Sequence, residues 1–266
     1  MITAQDLKGA LAIMPTPAKP GAERLDATNT VDLDETARLA EALVRDGANG
    51  IMALGTMGEC ATTSHADYEA YVDCLLKTVR GRIPTFVGTT ALGGHEIARR
   101  IKFVKERGAT GTLLGIPMWQ PANVEMAVKF YTDVAETFPD FPLMVYANPR
   151  AFRFDFGVEF WRQVVDKAPT VMSAKFSSKA ILKESITASK GKVNFLPPVG
   201  LAYPFACEGV PADDAPADIV AINQGCNDAS APTIEHGYLK LIALVRKRNP
   251  EAHIFCVVPF AQYQGR

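Results

Sequence analysis

The sequence has almost no net charge: its 266 residues carry 28 Lys and Arg against 29 Asp and Glu, a formal balance of -1. Acids and bases are interspersed, which leaves no electrostatic footprint for nucleic acid or an anionic membrane surface. No apolar run approaches the thickness of a bilayer, and Met1-Ile2-Thr3-Ala4-Gln5-Asp6-Leu7-Lys8 has no basic segment followed by an apolar core. A cytoplasmic protein with a small-molecule partner is expected. The five cysteines, Cys60, Cys74, Cys207, Cys226 and Cys256, are odd in number, scattered and without a C-x-x-C pair. That argues against a disulfide framework or a structural zinc site. The four histidines, His65, His95, His236 and His253, show no metal-ligand spacing and no acid-base pairing with a nucleophile.

Apolar residues are plentiful, at 48% of the chain against 21% charged, enough for one large domain with a full core. Short Val, Ile, Leu and Phe runs predict strands over Leu11 to Thr16, Gly50 to Leu54, Thr85 to Thr89, Gly111 to Ile116, Pro142 to Tyr146, Val171 to Phe176, Val193 to Leu196 and Asp218 to Asn223. Helical segments lie between them. Asp32-x-x-Glu35 and Ser64-x-x-Asp67 read as capping boxes, with Gly47 and Gly81 as stops. Tyr68, Tyr71, Val72, Leu75, Leu76 and Val79 form one inner stripe; Ile97, Ile101 and Val104, then Met126, Phe130, Tyr131 and Val134, form others. Strands and helices alternating eight times predict an α/β fold closed as a (β/α)8 TIM barrel. Chemistry in such a barrel gathers at the carboxyl ends of the strands.

Lys175 is the one charged residue in Val171-Met172-Ser173-Ala174-Lys175-Phe176-Ser177. The period of two places it on a face with Val171, Ser173 and Ser177. Desolvation disfavours an ammonium, so a partly buried amine there can become a nucleophile for carbonyl carbons. The plainer alternative is a lysine that snorkels to solvent or pairs with a carboxylate.

Three strand-end segments accompany it. Gly55-Thr56-Met57-Gly58-Glu59 follows the second strand, where two glycines permit a tight turn and the Thr56 hydroxyl with the amides of Thr56 and Met57 can hold a carboxylate. An ordinary strand-to-helix loop would read the same. Tyr146-Ala147-Asn148-Pro149 follows the fifth strand and puts the phenol and amide on one face. The phenol suits proton transfer and the amide suits orienting water, although a core tyrosine is the common case. Thr89-Thr90 and Met118-Trp119 complete the rim, with Trp119 suited either to stacking on an aromatic substrate or to a core or interface role.

Taken together and in this order, G-T-x-G-E after strand two, Tyr-x-Asn-Pro after strand five and a lysine on strand six resemble the dihydrodipicolinate synthase and N-acetylneuraminate lyase family of class I pyruvate aldolases. Within it, Met14-Pro15-Thr16-Pro17, Gly58 to Thr62, Gly115 to Trp119 and Asn148 to Phe156 look most like the hydratase-aldolases that cleave arylidene pyruvates. The resemblance implies Lys175 as the Schiff-base residue and Tyr146 as its proton-transfer partner. Gly55, Thr56, Met57, Asn148 and Trp119 are then substrate-binding. It further implies an α-keto acid substrate, no metal or organic cofactor, and a homo-oligomer, a tetramer.

The likeness runs from about Thr3 to Phe205, so the chain divides into an aldolase barrel over 1–205 and an atypical tail over 206–266. The family's aromatic-rich eighth strand and helical carboxyl-terminal extension are not expected there. Asp218 to Asn223, with a helix over Thr233 to Arg248, can stand in for the last strand and helix. Gln224-Gly225-Cys226-Asn227-Asp228 resembles an SGNH-esterase block, but no G-D-S or D-x-x-H block accompanies it, which excludes an esterase. Two alternatives stay open: an inactive or ligand-binding barrel altered by its tail, and a family synthase or lyase acting on an aliphatic keto acid.

Overall fold

The computed structural model describes residues 2–196, 219–223, 246 and 253–257. These fall into two units, residues 2–196 and the described residues beyond them.

In the first unit seven parallel strands form one sheet in chain order: β1 (Leu11–Met14), β2 (Gly50–Ala53), β3 (Thr85–Gly88), β4 (Gly111–Leu114), β5 (Leu143–Ala147), β6 (Val171–Phe176) and β7 (Asn194–Leu196). Helices α1 (Leu33–Arg45), α2 (His65–Val79), α3 (Gly94–Glu106), α4 (Val124–Thr137), the single turn α5 (Pro149–Phe152), α6 (Val158–Lys167) and α7 (Leu182–Ala188) alternate with them. Strictly sequential parallel strands with a helix in each crossover are the architecture of the α/β TIM barrel. Seven strands of it lie among the described residues.

The helix ends follow local chemistry. Asp32 Oδ1 accepts the Glu35 N–H at 3.0 Å to start α1, and Gly47 with φ +86° takes the left-handed position after it. The expected capping box is only half formed, because the Glu35 carboxylate turns to Arg38 instead. Ser64 Oγ accepts the Asp67 N–H at 3.1 Å to start α2, while the Asp67 carboxylate accepts from Ser64 and Thr30. The expected stripes of α2 and α3 are buried. That of α4 is corrected: Met126 is exposed, and the buried residues are Ala127, Val128, Tyr131, Val134 and Ala135. Counting back from Tyr131 by three and four residues reaches Val128 and Ala127, whereas a five-residue step to Met126 leaves the stripe.

An aromatic cluster fixes the orientation of the sixth strand. On α6 the indole of Trp161 donates Nε1–H to Phe156 O at 2.8 Å and meets Phe176 of β6 and Phe195 of β7 edge-on, at centroid distances of 5.7 and 4.8 Å. Phe176 therefore faces the helical layer. Its neighbour Lys175 faces the opposite way, into the barrel.

In the second unit Ile219–Asn223 forms a strand, β8, as the apolar run predicts. It pairs in parallel with β9 (His253–Val257), Ile219 opposite His253 and Asn223 opposite Val257. The expected helix over Thr233 to Arg248 lies outside the described residues except at Arg246, which is helical. Cys207 and the Gln224 to Asp228 block also lie outside them.

Candidate active site

The site forms where the carboxyl ends of β2, β5 and β6 meet. Lys175 and Tyr146 are register partners on adjacent strands. The Lys175 Nζ lies 3.3 Å from Tyr146 Oη and 4.3 Å from the centroid of the same ring. The amine thus addresses both the hydroxyl and the π-face, an arrangement worth about 1 kcal/mol at a site open to water on one side. Tyr146 is 7% exposed and Lys175 half-buried, so the amine keeps an open side.

Three polar groups converge on the phenolic oxygen. Besides Lys175, the Thr56 hydroxyl lies 2.8 Å from it and the Asn148 amide Nδ2 3.4 Å. Burial pushes the phenol's pKa up, but the Lys175 charge and the hydrogen bonds from Thr56, Asn148 and Lys175 outweigh it, and the net shift is downward. A tyrosine held in this way gives up its proton more readily than a free one.

Asn148 is not a strand residue. It caps α5, its Oδ1 accepting the Ala151 N–H at 3.3 Å with Pro149 as the first helical residue. One of its two Nδ2 hydrogens goes to Tyr146, leaving the second for a guest.

The turn from Gly55 to Glu59 sits against the phenol: a Cβ at Gly55 would lie 3.7 Å from Tyr146 Cε1. The turn is closed by Glu59 N–H to Thr56 O at 3.1 Å and Cys60 N–H to Gly55 O at 3.3 Å, and braced by the Thr16 hydroxyl, which donates to Gly58 O at 2.7 Å. Among the described residues no acceptor takes the N–H groups of Thr56 and Met57. Both residues are exposed at the turn's tip, as a nest for an anion requires.

Trp119 is 70% exposed and lines a rim cavity of about 500 Å³ with Leu92, Met118, Gln120 and Arg153; Arg153 Nη1 donates to Trp119 O at 3.1 Å. The core reading of Trp119 is thereby excluded. The expectation for Thr89 and Thr90 as rim residues is corrected. Both are buried: Thr89 Oγ1 is paired with Thr112 Oγ1 at 2.6 Å, and Thr90 Oγ1 accepts the Gly115 N–H at 2.9 Å. They hold adjacent loops together.

Sequence reasoning missed two residues. Phe152 packs edge-on against Tyr146, with centroids 5.3 Å apart at 74°, and so fixes the ring. Arg100 reaches from α3 to the backbone of Cys60 and Thr90. Phe152 was present in the family-like run but carried no chemical signal; Arg100 looked like one more helix cation. Among the described residues no group of His, Cys, Asp or Glu could hold a metal ion, and no helix is long and apolar enough to cross a membrane.

Comparison with known proteins finds that residues 13–195 match the model of the Dihydrodipicolinate synthetase family. A trans-o-hydroxybenzylidenepyruvate hydratase-aldolase of Pseudomonas putida is 45% identical over 196 residues, 74% of this chain and 59% of that protein. A trans-2'-carboxybenzalpyruvate hydratase-aldolase of Nocardioides sp. (strain KP7) is 34% identical over 74% of this chain and 60% of that one. The chain thus spans about three-fifths of the length of these relatives. Among solved structures, PhdJ bound to a substrate intermediate superposes with a TM-score of 0.74 at 36% identity, covering 77% of this chain and 64% of that one.

Proposed function

Because the chain belongs to the dihydrodipicolinate synthetase family, we propose that it is a class I hydratase-aldolase that converts an arylidene pyruvate to an aromatic aldehyde and pyruvate through a Schiff base on Lys175. The observation that carries this reading is the Lys175 amine 3.3 Å from a phenol that Thr56 and Asn148 also hold.

The substrate carboxylate rests on the turn of Gly55, Thr56 and Met57, which brings the keto carbon to Lys175 and replaces a chance encounter with a fixed geometry. The amine adds to that carbon and water leaves, forming an iminium. The iminium draws electrons from the conjugated double bond, and water held by the second Nδ2 hydrogen of Asn148 adds at the carbon that bears the ring. Ionised Tyr146 takes one proton from the added water and returns it to the neighbouring carbon of the enamine so formed, which restores the iminium; ionised once more, Tyr146 then removes the proton of the new hydroxyl. The bond between that carbon and its neighbour on the pyruvyl side breaks, its electrons pass to the iminium, and the aldehyde departs. The enamine left on Lys175 takes a proton, and hydrolysis releases pyruvate and the free amine. The exposed indole of Trp119 offers its face to the aryl ring. The electron sink is the iminium itself, so the scheme calls on no metal or organic cofactor. The active form is a homo-oligomer, a tetramer by family resemblance, which light scattering on the eluting protein would test.

Borohydride reduction in the presence of pyruvate, followed by peptide mass spectrometry, tests the assignment. An adduct on Lys175 is expected; an adduct on another lysine, or none, overturns it.

The family match ends at residue 195, which supports a second reading, a barrel that binds keto acids without turning them over because its carboxyl-terminal segment is replaced. Ligand-dependent thermal stabilisation without aldehyde release from hydroxy- or carboxy-substituted arylidene pyruvates would select it.

A further inference from the structure

Arg100 is a buried cation that the proposed chemistry does not use. It is 9% exposed on α3, its Nε lies 3.0 Å from Glu96 Oε1, and its guanidinium lies 4.5 Å from the centroid of the Tyr68 ring. Its Nη1 donates to two carbonyls on different loops, Cys60 O at 3.2 Å and Thr90 O at 3.1 Å. Cys60 closes the turn that begins at Gly55. Thr90 holds the Gly115 N–H, where the loop to Trp119 starts.

Burying a guanidinium is costly, and its single carboxylate partner Glu96 is 40% exposed. An aliphatic side chain would fill the same helix face at less cost. What only a rigid planar fork provides is simultaneous donation in fixed directions to two backbone oxygens and a carboxylate.

We propose that Arg100 is a positioning residue that clamps the Gly55–Cys60 turn to the Thr90 loop, and so presents the Thr56 and Met57 amides to the substrate carboxylate. The proposal rests on that turn being the carboxylate site. Arg100 itself touches no substrate. The clamp has an internal reporter: Cys60 Sγ donates to Thr90 O at 3.4 Å and lies 3.6 Å from Arg100 Nη1. Burial pushes that thiol up to about 11 against the opposing pull of Arg100, so it is unreactive while the clamp is closed.

The test compares Arg100→Met, which fills the volume without donors, with Arg100→Lys, which keeps the charge and fewer directed donors. Loss of charge-assisted hydrogen bonds to the turn should raise KM for an ortho-hydroxy arylidene pyruvate about tenfold or more in Arg100→Met and leave kcat within about threefold. Arg100→Lys should recover part of the KM. Peptide mapping after iodoacetamide treatment should show Cys60 alkylated at least about tenfold faster in Arg100→Met, with Cys74 unchanged as the control. Unchanged KM, a loss confined to kcat, or unchanged Cys60 labelling in a folded Arg100→Met overturns the proposal. If Arg100→Met does not fold, Arg100→Lys decides: raised KM with faster Cys60 labelling supports the clamp, and wild-type values for both refute it. Should the wild type form no pyruvate adduct on Lys175, the functional reading and the carboxylate-presenting role fail together. Cys60 labelling then still decides whether the loops are clamped.

Discussion

The ring of Phe152 occupies the space that any side chain at Gly115 would need: a Cβ placed on Gly115 would lie 2.1 Å from the ring's Cζ. Because Phe152 also buttresses Tyr146 edge-on, the two features share one cause. Gly115→Ala is expected to push Phe152 off Tyr146 and destabilise the fold by about 1 to 3 kcal/mol, as overpacking does. Chemical denaturation measures the loss. Aldehyde release should fall further than the residual folded fraction accounts for, and an alanine accommodated at no cost would show that the ring is free to move.

Lys175 and Tyr146 should separate into distinct kinetic roles. Lys175→Met abolishes pyruvate trapping. Tyr146→Phe still forms the adduct but slows aldehyde release by roughly 10²- to 10⁴-fold, the range of a lost general acid-base group. Equal loss of trapping in both variants would contradict the division.

The downward shift of Tyr146 has a sign that can be checked. After the opposing effect of burial, the leading cause is the Lys175 charge, so the phenolate forms at a lower pH than in a free tyrosine. Activity that depends on the phenolate should therefore rise with pH below the ordinary value of 10.0, and in Lys175→Met the Tyr146 titration should move upward. Phenolate absorbance, taken as the difference from Tyr146→Phe, follows both. A Tyr146 titration that stays in place in Lys175→Met would remove the charge from the explanation.

Thr56 can be tested by shape. Thr56→Val keeps the volume but leaves Tyr146 Oη without its 2.8 Å partner, whereas Thr56→Ser keeps the hydroxyl. A net hydrogen bond of about 1 kcal/mol predicts a loss near fivefold in kcat/KM for valine and a smaller one for serine. Identical values for the two variants would mean that the hydroxyl is idle.

Glu96 gives the fold a specific acid sensitivity. Its hydrogen bonds to Arg99 and then, against the upward push of burial, to Arg100 lower its pKa from 4.5 to about 2. A carboxylate depressed in the folded state contributes stability that is present above its unfolded value and lost as pH falls toward the folded one. The window is therefore pH 4.5 down to about 2. Glu96 is 40% exposed, so solvent screening keeps the contribution well below the full linkage value. Glu96→Gln should lower the denaturation midpoint at neutral pH and flatten its decline through that window. A wild-type slope in the variant would exclude the carboxylate as its source.

Much of this protein was legible in residue order because it depends on local physics. Asp32 and Ser64 cap helices through side chains that need only the next turn, and the apolar periods of α2 and α3 name their own buried faces. Lys175 stands out alone as the one charge in a buried-strand pattern, whereas Tyr146 and the Gly55 turn are legible only through their order with it, which resembles a known family. What tertiary structure alone decided is how these pieces meet. In β6 the register slips by one residue: Leu143 pairs with Val171 but Met144 with Ser173, leaving Met172 as a bulge, and Tyr146 consequently lies opposite Lys175 rather than Ala174. Nothing in Val171 to Phe176 marks an extra residue. The bulge follows from packing on both faces of the sheet at once, with Trp161 gripping Phe176 from outside while the barrel interior takes up Lys175. Long-range choices of that kind, like the reach of Arg100 across two loops, are made by neighbours distant in the chain, and a reading along the chain does not contain them.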